Sequence, residues 1–322
     1  MSGGVAFRPD SAYSNERRGM QLGLIGLGKM GGNMRDRLTA AGHDVVGYDT
    51  NPDISDVKDL AELVSKLDAP RNVWVMVPAG KVTQAVIDEL KGLLAEGDLV
   101  IDGGNSKFTD DAKHEQELAE KGIHFVDTGV SGGVWGKDNG YGMMAGGSDE
   151  DIERLMPIYD ALRPEGPREE SFVHAGDVGA GHYVKMVHNG IEYGMMQAYA
   201  EGYELLEAKE IVKDVPAAFK AWTRGTVVRS WLQELTADAL EKDPNLENIE
   251  GFVNDSGEGR WTVQEGVEYG VPMPVISASL FQRFFSRQGT ASPAMKAVAA
   301  MRNEFGGHAV TKKGEQGIVT DH

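Results

Sequence analysis

The sequence contains no cysteine, which excludes disulfide bonds, thiol catalysis and cysteine-ligated metals. It also has no apolar run close to the roughly 20 residues that a membrane-spanning helix requires. Basic residues are scarce, since 32 Lys and Arg stand against 50 Asp and Glu, for a formal net charge of −18. This balance opposes binding to nucleic acid and adsorption to anionic membranes. An anionic small molecule would therefore need a local cluster of cations.

The amino terminus carries no recognisable targeting signal. Residues 1–19 lack the apolar stretch of a secretory signal and predict a flexible extension, so we expect a cytoplasmic protein. With 322 residues and 41% hydrophobic content, the chain can bury one or two sizeable cores.

The first half of the chain alternates between short apolar runs and helical stretches. Runs that predict strands lie at 21–25, 44–48, 72–77, 98–101 and 123–126, and two further runs near 141–145 and 171–174 could add strands. Helical patterns between them include 80–95 and 107–121. Alternation of this kind is typical of βαβ units, and it predicts an α/β Rossmann domain with a mostly parallel sheet over residues 20–179.

Beyond residue 180 the sequence has few strand signals. Successive helical patterns lie at 181–208, 215–241, 259–269, 274–287 and 292–304. They predict an all-α domain over 180–305 for substrate binding and oligomerisation. The polar, glycine-containing segment 306–322 predicts a mobile tail.

A glycine-rich turn joins the first predicted strand to a predicted helix. Its sequence is Gly26-Leu27-Gly28-Lys29-Met30-Gly31, the Gly-x-Gly-x-x-Gly pattern that lets backbone approach a pyrophosphate at a helix N-terminus. Asp49 ends the next predicted strand about twenty residues later, where a carboxylate can accept a hydrogen bond from a ribose 2′-hydroxyl. Asp49-Thr50-Asn51-Pro52 is also ordinary turn sequence. Together the two features predict a nicotinamide dinucleotide site.

Loops of small residues follow the third, fourth and fifth predicted strands. They are Val77-Pro78-Ala79-Gly80, Asp102-Gly103-Gly104-Asn105-Ser106 and Asp127-Thr128-Gly129-Val130-Ser131-Gly132-Gly133. Ligands of open α/β sheets bind beyond the carboxyl ends of the strands. Any one of these loops is common turn sequence, but three in these positions favour a ligand site.

The predicted helix after residue 180 carries a polar face. Four polar residues fall at i, i+3, i+4 and i+7, namely Lys185, His188, Asn189 and Glu192. A solvent-exposed helix also spaces polar residues in this way. A base, two hydrogen-bonding groups and an acid on an otherwise apolar helix nevertheless favour a face that lines a cleft.

These motifs resemble those of the 6-phosphogluconate dehydrogenases, in the β-hydroxyacid dehydrogenase superfamily, and the chain is similar to the shorter branch of that family. The glycine-rich turn and Ser131-Gly132-Gly133 are shared by the superfamily. More specific stretches are 102–106, 185–193, Gly257-x-Gly259-Arg260-Trp261-Thr262 and Arg302-x-x-Phe305-Gly306-x-His308. The chain departs from the longer branch at Asp49-Thr50-Asn51, where that branch commonly has Asn-Arg-Thr, and at Arg260, where it has Lys.

The resemblance implies an oxidative decarboxylation. Hydride leaves C3 of 6-phosphogluconate for the nicotinamide, the 3-keto acid loses CO2, and protonation at C1 gives ribulose 5-phosphate. Lys185 would act as general base and Glu192 as general acid. Residues implied to bind the carboxylate and hydroxyls are Asn105, Ser131, Gly132, Gly133, His188 and Asn189. Residues implied to bind the phosphate are Tyr193, Arg260, Arg283, Arg302 and His308.

The resemblance also implies the cofactor contacts. They are Gly26, Leu27, Gly28, Lys29, Met30, Gly31, Asp49, Val77, Pro78, Ala79 and Asn105. We expect NAD in preference to NADP, because the Asp49 carboxylate would repel a 2′-phosphate and no Arg follows within the turn. No metal site is expected, since the Lys185 ammonium would polarise the keto group, a task for which other decarboxylases use a metal.

Two alternative functions and one assembly follow from the same motifs. A 3-hydroxyisobutyrate or tartronate semialdehyde type of β-hydroxyacid dehydrogenase shares the turn, the Ser-Gly-Gly loop and the helix lysine, but needs neither Glu192 nor phosphate-binding arginines. The second alternative is a non-catalytic regulator that binds the dinucleotide. The resemblance further implies a homo-oligomer, dimer or tetramer, in which the segment carrying Arg302 and His308 can complete the site of a neighbouring subunit.

Overall fold

The computed structural model describes residues 19–289 and 292–319. The flexible extension predicted over 1–19 therefore lies outside the described residues, apart from Gly19. No helix in the described part of the chain combines the length and apolar character needed to cross a bilayer.

Seven strands form a single sheet in the order β2-β1-β3-β4-β5-β6-β7. The strands are β1 (Gln21–Ile25), β2 (Asp44–Tyr48), β3 (Asn72–Val75), β4 (Leu99–Asp102), β5 (His124–Ser131), β6 (Gly142–Gly146) and β7 (Phe172–Gly176). Neighbouring strands are parallel except for the antiparallel pair β5 and β6. The mostly parallel sheet predicted from the apolar runs is confirmed.

Helices cover both faces of this sheet. They are α1 (Lys29–Ala40), α2 (Leu60–Ser65), α3 (Lys81–Leu93), α4 (Phe108–Ala119), α5 (Gly136–Asn139) and α6 (Asp149–Leu162). Because side chains alternate across a strand, Trp74 packs into the core on one face while Val73 and Val75 pack into the core on the other. Strands buried on both faces explain why the sequence shows continuous apolar runs rather than alternation.

The second half of the chain is helical and has its own core. Its helices are α7 (Ala180–Glu207), α8 (Val215–Ala221), α9 (Trp231–Lys242), α10 (Glu258–Glu268), α11 (Pro274–Ser286) and α12 (Pro293–Gly306). The single helix predicted over 215–241 was wrong, since α8 and α9 replace it. Gly225 takes a left-handed φ of +74° between them, and the Ser230 hydroxyl caps α9 by accepting from the Gln233 N–H.

Helix α7 connects the sheet to the helical core. Near its start, Gly181 lies against backbone of β5 and β6, where a Cβ would meet the carbonyl oxygens of Asp127 and Met144. Further along, Gly190 packs against Thr262 of α10 and Gly194 against Val275 of α11. The glycines permit these close approaches, and the polar face of α7 is thereby held between the sheet and the helices.

The segment after α12 lies along residues 248–254. Gly307 ends the helix in a left-handed conformation with φ +56°. The Glu250 N–H donates to the Thr311 carbonyl at 2.8 Å, and the Lys313 N–H donates to the Asn248 carbonyl at 3.0 Å. The segment predicted as a mobile tail thus has backbone partners over part of its length.

Candidate active site

A cavity of about 800 Å³ lies between the carboxyl edge of the sheet and the helical half of the chain. Residues from both halves line it. Those that the sequence analysis singled out are Met30, Asn105, Ser131, Gly132, Gly133, Lys185, His188, Asn189, Glu192, Tyr193, Arg283, Arg302 and His308. Residues separated by more than 270 positions in the chain therefore meet in one volume.

The polar face of α7 lines part of the cavity. Lys185 is 6% exposed, and its ammonium donates to the Asn189 Oδ1 at 2.7 Å. The Nδ1 of His188 lies 3.0 Å from the same Oδ1, and the His188 Nε2 lies 3.4 Å from the Ser131 hydroxyl. The helix thus turns Lys185, His188 and Asn189 toward the cavity, with His188 beside Ser131 at the end of β5.

Burial lowers the pKa of Lys185, and the negative charges of Glu192 and Glu258 oppose this shift. Gly129 of β5 makes the burial possible, because a Cβ there would overlap the Cβ of Lys185. A lysine with a lowered pKa spends more time neutral near physiological pH. Lys185 therefore has the environment that a general base requires.

The lining of the cavity also includes a pair of arginines. Arg283 is 3% exposed, and its guanidinium carbon stands 3.3 Å from the centre of the Tyr193 ring. Burial, and then the charge of Arg283, lower the pKa of Arg302 to about 10. Neither arginine has a carboxylate partner within 4.0 Å in the described part of the chain. Two desolvated guanidinium groups side by side favour an anionic ligand.

Arg260, which the resemblance implied for the phosphate, is absent from the lining of the cavity, and its role in phosphate binding stays a prediction. Its guanidinium makes a bidentate pair with the buried carboxylate of Asp255, with Nε at 2.6 Å and Nη2 at 3.1 Å. It also lies 4.8 Å from the centre of the Phe284 ring. Asp255 thus satisfies the charge of Arg260 within the protein, which leaves Arg283 and Arg302 for the ligand.

His308 and Arg302 line the cavity of their own chain. Burial, followed by the charges of Arg302, Arg283 and Lys29, lowers the pKa of His308 to about 4, although part of the ring faces solvent. A neutral imidazole can donate a hydrogen bond without adding to the local positive charge. Completion of a neighbour's site by this segment, as the resemblance implied, is not needed to bring these residues to Lys185.

The glycine-rich turn has the geometry of a phosphate-binding loop. Gly26 takes a left-handed φ of +91°, and a Cβ on Gly31 would overlap the Gly26 carbonyl oxygen. Helix α1 begins at Lys29 without a side-chain cap, so its first N–H groups point toward the loop. The Lys29 ammonium donates to the Gly307 carbonyl at 2.8 Å and ties this turn to the carboxyl-terminal segment.

Asp49 stands beside this turn. Its Oδ2 accepts from the Leu27 N–H at 2.7 Å, and its Oδ1 accepts from the Asn51 N–H at 2.8 Å. The carboxylate retains lone pairs for a further donor such as a hydroxyl. Of the predicted cofactor residues, Met30 and Asn105 line the 800 Å³ cavity, while Asp49 and the loop 77–79 lie outside its lining.

Glu258 faces Lys185 but was not singled out from the sequence. It is 1% exposed, its Oε2 has no hydrogen-bond partner among the described residues, and burial raises its pKa to about 7. The residue occupies the variable position of Gly257-x-Gly259, where the motif gives no signal. Only the packing of α10 against α7 brings the carboxyl toward the lysine.

Two family models together match nearly the whole described chain. Residues 21–164 match the NAD-binding domain of 6-phosphogluconate dehydrogenase, and residues 181–321 match the carboxyl-terminal domain of 6-phosphogluconate dehydrogenase. Both halves of the chain therefore point to the same enzyme family.

Individual relatives agree with the family models. The NAD-dependent, decarboxylating 6-phosphogluconate dehydrogenase of Haloferax volcanii is 39% identical, covering 91% of this chain and 99% of the relative. The NADP-dependent enzyme of Bacillus subtilis is 38% identical, covering 83% of this chain and 61% of the longer relative. The structure of Plasmodium falciparum 6-phosphogluconate dehydrogenase superimposes with a TM-score of 0.75 at 29% identity, over 83% of this chain and 62% of that one. The chain belongs to the 6-phosphogluconate dehydrogenase family.

Proposed function

We propose that the protein catalyses the oxidative decarboxylation of 6-phosphogluconate to ribulose 5-phosphate and CO2, with NAD as the hydride acceptor. One observation carries the proposal: Lys185 and Glu192 face the same cavity as Arg283 and Arg302. The site thus combines a base and an acid with paired cations for a phosphate.

Lys185 and Glu192 divide the proton transfers. Bound NAD would supply the acceptor for the C3 hydride. Neutral Lys185 takes the proton of the C3 hydroxyl, and as ammonium it then donates to the C3 keto oxygen while the carboxylate leaves as CO2. Glu192, in its protonated form, delivers a proton to C1 of the enediol, while neutral Lys185 takes the proton of the C2 hydroxyl, which becomes the ketone of ribulose 5-phosphate. Asn189, which accepts from Lys185 at 2.7 Å, fixes the ammonium in position.

Ser131 and His188 lie on the side of the cavity where the sugar chain would pass. The Ser131 hydroxyl and the His188 Nε2 are 3.4 Å apart. The His188 Nδ1 lies 3.0 Å from the Asn189 Oδ1, which also accepts from Lys185. We assign them, with Asn105, Asn189 and the backbone of Gly132 and Gly133, to the substrate carboxylate and hydroxyls. Arg283, Arg302, Tyr193 and His308 are assigned to the phosphate.

The arginine pair separates this function from the nearest alternative. A 3-hydroxyisobutyrate or tartronate semialdehyde type of enzyme acts on a small acid without phosphate and has no use for two desolvated guanidiniums. A coupled assay with 6-phosphogluconate, both nicotinamide cofactors and CO2 detection tests the proposal directly. Turnover of 3-hydroxyisobutyrate without release of CO2 from 6-phosphogluconate would contradict it, and absence of turnover with either would favour a binding protein.

We propose that Asp49 gives the enzyme its preference for NAD. The carboxylate lies beside the glycine-rich turn and has lone pairs left for the ribose hydroxyls, whereas it would repel a 2′-phosphate. Replacing Asp49 by Ser together with Asn51 by Arg should shift kcat/KM in favour of NADP. The matched control is Asp53→Ser in the same turn, which should leave the ratio unchanged. A wild-type kcat/KM for NADP equal to that for NAD would overturn the assignment.

We also propose that Glu258 tunes Lys185. Its negative charge raises the pKa of Lys185 against the effect of burial, so Glu258→Gln should lower that pKa further. Because the neutral lysine is the active base, the acid limb of the profile of kcat/KM against pH should move to lower pH. Glu268→Gln, an exposed acid on the same helix, serves as control. If the acid limb is unchanged in Glu258→Gln, Glu258 does not influence the pKa of the base.

A homo-oligomer remains the expected assembly. Helix α7 exposes Val184, Ile191 and Met195 beside the cavity, and Trp231 is 42% exposed nearby, which is costly for an isolated chain. Since one chain supplies both Lys185 and Arg302, mixing inactive Lys185→Met and Arg302→Ala subunits should restore no activity. Recovery of turnover after confirmed subunit exchange would show instead that neighbouring subunits exchange the segment with Arg302.

A further inference from the structure

Five buried ionisable side chains lie together beneath the site without lining the cavity. Asp102 ends β4, Asp127 belongs to β5, Asp111 and His114 lie on α4, and His182 lies in the first turn of α7. Each is between 0% and 3% exposed. Carboxylates and imidazoles are rarely buried to this extent unless they are paired or bind a metal.

Within this cluster, ligand atoms of two overlapping trios approach one another within 4.8 Å. One trio is Asp102, Asp111 and His114, and the other is Asp111, Asp127 and His182. Oxygen and imidazole nitrogen are the ligands that divalent transition metals accept from proteins. Both trios therefore meet the minimum requirement of ligand type and spacing.

In the trio with His182, hydrogen bonds within the protein already occupy the facing atoms, although the His182 Nε2 has no partner among the described residues. The His182 Nδ1 donates to the Asp111 Oδ2 at 2.9 Å. The two oxygens of Asp127 accept from the backbone N–H groups of Gly179 and His182 at 2.6 and 2.7 Å. This arrangement is an ion pair and a helix cap, and it engages the His182 nitrogen and the Asp127 oxygens that a metal would otherwise use.

The trio with His114 is not satisfied in this way. The Oδ1 of Asp111 and the Nδ1 of His114 have no hydrogen-bond partner among the described residues, although both side chains are buried. Asp102 accepts from the Gly104 N–H at 3.0 Å and from the Ser106 hydroxyl at 2.6 Å. These bonds fix the orientation of the carboxylate and leave lone pairs free, as in metal sites whose ligands are held by a second layer of hydrogen bonds.

The charges of the cluster also favour a bound cation. The cluster holds three buried carboxylates, Asp102, Asp111 and Asp127, against two imidazoles, His114 and His182. A divalent cation would compensate the excess negative charge that the protein leaves there.

We propose that Asp102, Asp111 and His114 bind one divalent transition-metal ion of the Mn²⁺ or Zn²⁺ class. The ion would fasten the end of β4, and with it the loop that carries Asn105, to helix α4. Through the Asp111–His182 pair it would also fix the start of α7, three residues before Lys185. Its role is to hold these elements in position, and it takes no part in the reaction.

Metal content and stability of the whole protein test the proposal. Protein produced with added Mn²⁺ or Zn²⁺ and freed of loosely bound ions should retain about one ion per chain, and that ion should raise its Tm. His114→Gln, which keeps a similar volume but loses the ring nitrogen, should lose the ion and the metal-dependent rise. His124→Gln is the matched control, because His124 pairs with Asp151 at 2.8 Å away from the trio.

A spectroscopic probe covers the case in which His114→Gln fails to fold. Co²⁺ supplied in place of the natural ion should give wild-type protein visible absorption bands with one oxygen-and-nitrogen ligand set per chain. Wild-type protein that retains neither Mn²⁺, Zn²⁺ nor Co²⁺ would overturn the proposal. Equal metal content in folded His114→Gln would overturn it as well, because the ion would then lie elsewhere.

Discussion

Replacing Lys185 by Met should lower kcat by about 10²–10⁴-fold, the usual contribution of a general acid or base. Met fits the buried space beside Gly129 but can neither take the C3 hydroxyl proton nor polarise the keto oxygen. NAD binding should persist, since the glycine-rich turn and Asp49 do not touch Lys185. Both halves of the proposed chemistry fail in this variant, which is why the effect is large.

The measurement pairs steady-state turnover of 6-phosphogluconate with direct titration of NAD by fluorescence. Lys185→Arg distinguishes proton transfer from charge alone, because a guanidinium keeps the positive charge but does not lose its proton. We expect it to be as inactive as Lys185→Met once circular dichroism shows that it is folded. If Lys185→Met kept more than about a tenth of wild-type kcat, another group would have to be the base.

Local sequence patterns were sufficient for much of the fold and of the site. Apolar runs located the strands, because strands buried on both faces are apolar throughout. The i, i+3, i+4, i+7 spacing placed Lys185, His188, Asn189 and Glu192 on one face of α7, and they line one cavity. These features depend on periodicity and on backbone conformation, which neighbouring residues determine.

Contacts between side chains that are distant in sequence could not be predicted from local patterns. Whether an arginine serves a ligand or a neighbouring acid depends on packing: Asp255 pairs with Arg260, while Arg283 stacks on Tyr193. Likewise, nothing in a motif shows that Glu258 turns toward Lys185. The break between α8 and α9 depends on the cap at Ser230 and on the left-handed conformation of Gly225. A prediction from hydrophobic periodicity alone takes neither feature into account.

The contrast between Arg302 and Arg260 gives the second large effect. Arg302→Ala should raise KM for 6-phosphogluconate about 10- to 100-fold, since a hydrogen bond to a charged group contributes about 1.5–3 kcal/mol. Removing Arg302 also removes a like charge beside Arg283, so the free protein should not lose stability. NAD affinity should change little, because Arg302 is assigned to the substrate phosphate, whereas the glycine-rich turn and Asp49 are assigned to the dinucleotide.

Arg260→Ala is the matched control, an arginine of the same half of the chain that the structure pairs with an acid. It should lower Tm, because it removes a bidentate ion pair from the buried carboxylate of Asp255, which also accepts from Arg287 at 3.0 Å. Its KM for 6-phosphogluconate should stay near the wild-type value. The Tm rise produced by inorganic phosphate should disappear in Arg302→Ala and persist in Arg260→Ala. The reverse pattern, with KM raised only in Arg260→Ala, would assign the phosphate to Arg260 instead of Arg302.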